Sequence, residues 1–225
     1  KIDPNFVSGF NNLGNALSKI KKFEDAIKYL NKSLELKPDF FETHYTLSEI
    51  FFQKELYEKS LHHLNEAIKI KPDHLQTIKN KLELLLKLNK KEETLKFLEK
   101  VIPYHPKNTE LYNQKAQVLS ELGLNSQSLN TYKTIFVMDP DFPFVLGNIV
   151  SDKLKNCNWD GLDKDLVDIE KKINKEKKVA DPFLVSTLYD SSDLLNKATK
   201  LWIKQFDHDQ KINEFQINRD YSKIN

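Results

Sequence analysis

The sequence is poor in the residues on which many enzymes and nucleic-acid-binding proteins depend. Cys157 is the single cysteine, so no internal disulfide can form, and a reducing, cytoplasmic location is expected. Only 5 glycines are present, too few for a chain built on tight turns or phosphate-binding loops. Arg219 is the single arginine and the net charge is +2, so no nucleic-acid partner is expected. No apolar run approaches the ~20 residues of a membrane helix, so no membrane partner is expected either.

No complete catalytic site can be assembled from the remaining residues, and no catalytic residue, metal or cofactor is expected. His62 and His63 are adjacent, so their side chains point to different sides of a helix and are not expected to share a metal ion. His208-Asp209 has no companion residues that would complete a hydrolase site. Cys157, beside Trp159, is interpreted as a packing residue rather than a nucleophile.

Proline recurs at a fixed interval of 34 residues. The five prolines concerned are Pro4, Pro38, Pro72, Pro106 and Pro140. Placing each of them at position 32 of a 34-residue unit predicts four full repeats, at 7–40, 41–74, 75–108 and 109–142. Residues 1–6 are then expected to be the tail of a preceding repeat, and a fifth, partial repeat begins at 143.

The other positions of the repeat fall into columns of similar residues. Two columns are mostly small: Gly14, Ser48, Leu82 and Ala116 at position 8, and Ala26, Ser60, Thr94 and Ser128 at position 20. Three columns are apolar: Leu17, Phe51, Leu85 and Leu119 at position 11, Leu30, Leu64, Leu98 and Tyr132 at position 24, and Leu34, Ile68, Ile102 and Phe136 at position 28. Their spacing predicts two amphipathic helices per repeat, which cross closely at the small columns. The proline ends the second helix.

This pattern resembles the tetratricopeptide repeat over residues 1–142. The resemblance implies an all-α fold, a right-handed superhelix (α-solenoid) with a concave groove lined by the first helix of each repeat. Repeat 3 departs from the pattern, because Leu82 fills a small column and Lys91 replaces an expected aromatic residue. We expect looser packing in that repeat without a change of fold.

Carboxamide side chains recur on the face that the resemblance assigns to the groove. Position 6 reads Asn12, Thr46, Asn80, Gln114 and Asn148, and position 9 adds Asn15 and Gln117. Because a carboxamide both donates and accepts, such a row can bind the backbone of an extended peptide without selecting its side chains. The expected partners are extended peptide or protein segments, with self-association through the repeat array as a further possibility. The alternative is that these amides only hydrate the groove of an asparagine-rich protein.

One known type of groove can be tested directly. Tetratricopeptide domains that bind the carboxylate tail of chaperones use two lysines, two asparagines and an arginine at fixed repeat positions. The corresponding residues here are Asn11, Asn15, Thr46, Gln76 and Asn80. Four of the five differ from that pattern, so this carboxylate clamp is not expected.

The repeat register fades after residue 142. Residues 143–206 are expected to form a partial repeat followed by a helical linker, and residues 207–225 an extended tail. Three linker helices are predicted: one introduced by Asp160 with the apolar face Leu162, Leu166, Ile169 and Ile173, one from Pro182 to Leu188, and one capped by Ser192 with the apolar residues Leu195, Ala198, Leu201, Trp202 and Phe206.

The motifs of this region resemble a second family. They are Asp139-Pro140-Asp141-Phe142, Leu146-Gly147-Asn148, Cys157-Asn158-Trp159-Asp160, Asp181-Pro182-Phe183-Leu184, Leu188-Tyr189-Asp190, Ala198, Trp202 and Tyr221-Ser222-Lys223-Ile224. They are similar to the linker between the repeats and the catalytic half of the O-linked N-acetylglucosamine transferase/SPINDLY family, in its bacterial form. Animal members carry Pro-His-His where this chain has Pro182-Phe183-Leu184. The resemblance implies a substrate-binding fragment of a protein O-glycosyltransferase whose catalytic half is missing. The alternative is a free-standing tetratricopeptide adaptor or scaffold without enzyme activity.

Overall fold

The computed structural model describes residues 6–204, and these residues form twelve α-helices and no strand. The predicted all-α class is confirmed. The helices are α1 (Val7–Lys19), α2 (Phe23–Leu36), α3 (Phe41–Gln53), α4 (Tyr57–Ile70), α5 (Leu75–Lys87), α6 (Lys91–Val101), α7 (Thr109–Glu121), α8 (Asn125–Met138), α9 (Val145–Lys155), α10 (Leu162–Asn174), α11 (Pro182–Leu188) and α12 (Ser192–Ile203). The chain divides into two compact units, Lys1–Leu111 and Tyr112–Asn225, and each is described by itself. Within residues 6–204 no helix is long and apolar enough to cross a lipid bilayer.

The recurring prolines follow the second helix in repeats 1, 2 and 4 in the way that the sequence predicts, whereas repeat 3 differs. The helices α2, α4 and α8 each end two residues before a recurring proline. The residue between leaves the helical region, with φ of −144° at Lys37, −130° at Lys71 and −147° at Asp139. The clash of the proline ring with the preceding residue accounts for this conformation. The helix α6 ends earlier, at Val101, and a 3-10 turn with a proline follows at Ile102–Tyr104.

Helix pairs in the first unit cross most closely where the small columns lie. A Cβ atom added to Gly14 would stand 2.5 Å from the Cγ atom of Leu30 and 3.2 Å from the carbonyl oxygen of Ala26. In the next pair, the Ser60 hydroxyl donates a hydrogen bond of 2.8 Å to the Ser48 carbonyl. Both contacts require that the side chain at the crossing is small, since anything larger would hold the two backbones apart.

The second unit has an apolar core of its own, built from α9 to α12. The apolar face predicted for α10 lies in this core, with Ile169 and Ile173 fully buried. Residues 178–180 pass the start of α9, where the amides of Phe144 and Gly147 donate to the carbonyls of Lys178 and Val179 at 2.7 and 2.9 Å. Hydrogen bonds from outside the helix therefore satisfy amides that the first turn of α9 would leave unpaired.

Lys153 takes the place of an apolar core residue in the fifth, partial repeat. It is 7% exposed, and its ammonium group donates to the Asp160 carbonyl at 2.6 Å and to the Asp165 carboxylate at 2.5 Å. Burial of the charge is offset by this ion pair and the added hydrogen bond. Position 11 is thus buried in the partial repeat as in the others, but it is occupied by a paired lysine instead of an apolar side chain.

Three local predictions are wrong. Ser191, not Ser192, caps α12, because its hydroxyl accepts from the Leu194 amide at 3.2 Å. Asp160 does not cap α10, which begins after Gly161 in the left-handed conformation, φ +66°. Cys157 is not a packing residue, because it is exposed on a left-handed turn with φ +50°.

Several predictions fall outside the described residues. They concern the preceding-repeat tail up to residue 5, the end of the linker at Phe206, the tail at 207–225, the His208-Asp209 pair and the motif at 221–224.

Candidate peptide-binding groove

An open cleft of about 520 Å³ lies on the first helices of the first unit. Asn12 and Asn15 of α1 line one side of the cleft, and Tyr45 and Thr46 of α3 line the middle. Gln76 of α5 lines the other side. The cleft is therefore formed where three successive first helices lie side by side, and four carboxamides line it, the three just named and Asn11.

The neighbour of Asn12, Asn11, has a structural role instead. Asn11 is 7% exposed, and its side-chain oxygen accepts from the buried Thr43 hydroxyl at 3.0 Å. This bond links α1 to α3 and leaves Asn12 as the exposed carboxamide of that turn. A buried, satisfied hydrogen bond of this kind fixes the spacing of the two helices that carry the cleft.

Three aromatic rings form the floor of the same cleft. The Phe41 and Tyr45 rings stack with centroids 6.1 Å apart, and the His74 ring meets them edge-on at 4.8 and 5.9 Å. The Lys71 ammonium lies 4.1 Å from the Phe41 centroid and pairs with Glu42 at 3.0 Å. The cleft thus combines an apolar, aromatic floor with polar walls, a combination suited to a peptide that offers both backbone and side chains.

The predicted groove residues of the first unit differ in what they can offer a ligand. Asn12 is exposed and Asn15 is half-buried, and both line the cleft. Thr46 also lines it, but its hydroxyl donates to the Glu42 carbonyl of its own helix at 2.9 Å, so it offers no free donor. Asn80 lies beyond the cleft, where it accepts from Gln76 at 2.8 Å and approaches the Tyr45 hydroxyl at 3.5 Å.

The remaining predicted groove residues belong to the second unit. Gln117 is exposed, whereas Gln114 and Asn148 are half-buried. The side-chain oxygen of Gln114 is buried without a hydrogen-bond partner, so in this conformation it faces the protein interior rather than a ligand.

Tyr45, His74 and Gln76 were not predicted from the sequence as ligands of a peptide. Gln76 and Tyr45 stand at repeat positions 2 and 5, on the same helical face as positions 6 and 9. That periodicity was a signal that could have identified both of them. His74 ends a repeat, and only the packed structure brings it to Phe41.

A second pocket, of about 280 Å³, opens between α3, α4 and α5. Phe52 and Leu64 form its apolar surface, and Glu49, Glu83 and Asn80 contribute polar groups. Burial and the neighbouring Glu49 carboxylate raise the pKa of the Tyr45 phenol, so this hydroxyl stays protonated. Tyr45 lines the cleft and Asn80 lines the pocket, and because their side chains approach each other at 3.5 Å, the cleft and the pocket are neighbours.

A histidine pair joins α3 to α4. The Nε2 atom of His44 donates to the Pro38 carbonyl at 2.8 Å, so the Nδ1 atom of a neutral His44 accepts from the Nδ1 atom of His63 at 3.0 Å. Burial, followed by the electrostatic interactions with the His44 and His62 rings, lowers the pKa of His63 to about 4. Among residues 6–204, no group of three or more histidine, cysteine or acidic side chains is arranged to hold a metal ion.

Comparison with known proteins places tetratricopeptide repeats in this chain. The family model described as tetratricopeptide repeat matches residues 7–40, and a second model of the same description matches residues 41–74. No curated protein sequence is significantly similar to the chain.

Solved structures with a similar fold include a tetratricopeptide-repeat protein and the MamA proteins. One is YrrB, described as a TPR protein with an unusual peptide-binding site; it has 18% identity and a TM-score of 0.56 over 85% of this chain and 90% of that one. The MamA protein has 12% identity and a TM-score of 0.59 over 92% and 98% of the two chains. MamA 41-end from Desulfovibrio magneticus RS-1 has 14% identity and a TM-score of 0.55 over 72% and 92%. These identities establish the all-α repeat fold and nothing more specific.

Proposed function

We propose that this protein is a peptide-binding module that holds an extended segment of another protein in the cleft of its first unit. The observation that carries the proposal is the position of Asn12, Asn15 and Gln76 around an aromatic floor on three adjacent first helices. The carboxamides bind the peptide backbone, and the rings of Phe41 and Tyr45 pack against its side chains. The similarity of the fold to YrrB, which is described as having a peptide-binding site, is in keeping with this function.

The same proposal extends to Gln114, Gln117 and Asn148 in the second unit, where the exposed Gln117 offers its carboxamide to a peptide backbone. The competing reading is that all these amides only hydrate the surface. The two readings differ in a measurable way, since hydration alone gives no affinity for a peptide. A cytoplasmic location belongs to the proposal and rests on the single cysteine.

Peptide affinity of groove variants tests the proposal. Ligands are first selected from a library of acetylated and amidated octapeptides, and their affinities are then measured by fluorescence polarisation. Replacing Asn12, Asn15 and Gln76 together by alanine should weaken binding by roughly 10- to 100-fold, since each hydrogen bond contributes about 0.5–1.5 kcal/mol and the contributions need not add. The melting temperature should change little, because these side chains lie at the surface of helices and alanine is a good helix former.

Two control variants separate groove binding from other causes. Asn31→Ala with Asn130→Ala removes exposed carboxamides from the second helices α2 and α8 and should leave affinity unchanged. Lys69→Ala with Lys133→Ala removes exposed charge from second helices and should also have little effect. Equal losses in the groove and control variants would contradict a specific groove, as would a library from which no peptide binds.

A finer proposal concerns the parent protein. We infer from the motifs of residues 139–225 that the chain is part of a protein O-glycosyltransferase similar to the bacterial O-linked N-acetylglucosamine transferases, in which the repeats present the acceptor protein. The alternative is a free-standing adaptor or scaffold. Residues 1–225 alone should not bind uridine-diphosphate sugars by calorimetric titration, and micromolar binding would contradict the fragment hypothesis. The reading frame beyond Asn225 distinguishes the two, since the enzyme requires a nucleotide-sugar-binding domain there.

A further inference from the structure

The pocket beside the cleft carries acidic residues at a repeat position that holds carboxamides elsewhere in the groove. Repeat position 9 carries Asn15 in repeat 1 and Gln117 in repeat 4, but Glu49 and Glu83 in repeats 2 and 3. Both carboxylates line the pocket between α3, α4 and α5. Position 9 is thus a neutral carboxamide in repeats 1 and 4 and an acid in repeats 2 and 3, and the two acids line one pocket.

Neither carboxylate is neutralised by a close ion pair. Among the residues that the structure describes, no lysine, arginine or histidine nitrogen lies within 4.0 Å of a Glu49 or Glu83 oxygen. Lys87 is the nearby cation, and its hydrogen bond to Tyr57 contributes more than Glu83 to raising its pKa. The negative charge of the pocket therefore exceeds the positive charge around it.

The apolar part of the pocket surface attracts cations through an aromatic ring. Phe52 and Leu64 line it, and the Lys87 ammonium already lies 5.3 Å from the Phe52 ring centroid. The hydroxyls of Ser48 and Ser60, which also line the pocket, are occupied by bonds to the Tyr45 and Ser48 carbonyls. A ligand in this pocket consequently meets the apolar surface of Phe52 and Leu64, the two carboxylates, and the carboxamides of Gln53 and Asn80.

We infer that this pocket receives a long basic side chain, lysine or arginine, from the peptide bound in the adjacent cleft; the inference rests on the proposed peptide binding. The methylene groups of such a side chain pack on Phe52 and Leu64, and its cationic head reaches Glu49 and Glu83. A peptide lying in the cleft reaches the pocket past Tyr45 and Asn80, which are in contact with each other. Backbone binding by the carboxamides is independent of sequence, and this pocket adds a preference for peptides that carry a basic residue.

Peptides that differ at a single residue test the inference. Octapeptides selected on the protein are resynthesised with arginine, lysine, norleucine, glutamine or glutamate at each position in turn. At one position arginine and lysine should bind roughly tenfold more tightly than norleucine, and glutamate should bind worst. Glu49→Gln with Glu83→Gln should reduce that preference to less than about twofold, while peptides with norleucine there bind as before.

A matched control variant separates the effect of the two pocket carboxylates from the effect of net charge. Glu35→Gln with Glu92→Gln removes two exposed carboxylates from the second helices α2 and α6, so it changes the net charge equally, and it should leave the preference intact. The inference is wrong if no position prefers a basic residue, if the preference survives Glu49→Gln with Glu83→Gln, or if the control variant loses it too. If no octapeptide binds at all, the proposed function itself fails, and the inference fails with it.

Discussion

Repeats 2 and 3 solve the same packing problem in opposite ways. In repeat 2 the crossing of α3 and α4 carries Ser48 and Ser60, and the Ser60 hydroxyl bonds across to the Ser48 carbonyl at 2.8 Å. In repeat 3 the crossing carries Leu82 and Thr94, and the Thr94 hydroxyl bonds within its own helix, to the Lys90 carbonyl at 2.8 Å. The backbones of α5 and α6 accordingly approach each other less closely than those of α3 and α4.

This difference shows that the residues of the small columns determine the distance between the two helices of a repeat. They do not determine the fold, which is the same in both repeats. Leu82 is fully buried, and it belongs to the same apolar cluster as Phe97 and Leu98. The looser packing expected for repeat 3 is therefore a wider helix spacing that the leucine side chain itself fills.

The largest effect is expected where a close crossing is forced apart. Gly14→Leu should destabilise the protein by roughly 3 kcal/mol or more, because even its Cβ atom would overlap Leu30 and the rest of the side chain overpacks the crossing. The free energy of unfolding in urea measures this change. Ala16→Leu adds the same bulk on the exposed side of α1 and should cost little. Equal stability of both variants would show that Gly14 is not at a close crossing.

The reverse substitution in repeat 3 should also be harmful. Leu82→Ala restores the small residue that the repeat pattern favours, yet it should destabilise the protein by roughly 2–4 kcal/mol, since it empties a fully buried site. Leu86→Ala, on the exposed side of the same helix, should cost less than about 1 kcal/mol. A neutral or stabilising Leu82→Ala would mean that α5 and α6 can close to the spacing of α3 and α4.

The stability of repeat 2 should depend on pH, because the His44–His63 pair joins α3 to α4. No histidine pair links α5 to α6 among the described residues. Because the pKa of His63 falls from 6.5 to about 4 on folding, the unfolded chain binds the proton more readily between these values. Stability should therefore be complete above about pH 6.5 and decline as the pH falls towards 4.

The size of this decline is roughly 1–2 kcal/mol after allowance for the partial exposure of the ring. Urea unfolding of the protein and of His63→Gln across this pH range measures it, since the carboxylates contribute equally to both. The two proteins should diverge in their pH slopes, and parallel slopes would contradict the neutral histidine pair.

The smallest expected effect is the difference in stability between removing the Ser60 hydroxyl and removing the Thr94 hydroxyl. Ser60→Ala should cost about 1 kcal/mol, because it removes a buried hydrogen bond between two helices. Thr94→Val should cost less, because its hydroxyl bond lies within one helix and valine keeps the shape. Thermal denaturation of both variants checks the order, and a larger loss at Thr94 would reverse the comparison.

The repeating part of the fold was predictable from the sequence because each repeat solves the same packing problem. The prolines and columns identify the helix pairs, and the resemblance identifies the fold. The response of repeat 3 to Leu82 was not predictable, since a column gives the residue type but not the distance between two backbones. The cap of α12 was misplaced by one residue because Ser191 and Ser192 are chemically equivalent in sequence.

The site was predictable only in part, for a related reason. The carboxamides Asn12 and Asn15 follow from periodicity along one helix. Thr46 has the right position, but its hydroxyl is taken by its own helix, which a helical periodicity does not reveal. Glu49 and Glu83 are far apart in sequence, and they form one pocket only when α3 and α5 lie side by side.

The most direct test of the central claim is to observe the groove carboxamides themselves while a peptide binds. Nuclear magnetic resonance resolves the side-chain amide protons of asparagine and glutamine, so a titration with a selected octapeptide follows each carboxamide separately. If the peptide lies in the cleft, the signals of Asn12, Asn15 and Gln76 shift, and those of Asn31 and Asn130 on the second helices stay in place. Shifts confined to the second helices, or spread evenly over both sets, would contradict peptide binding in the groove.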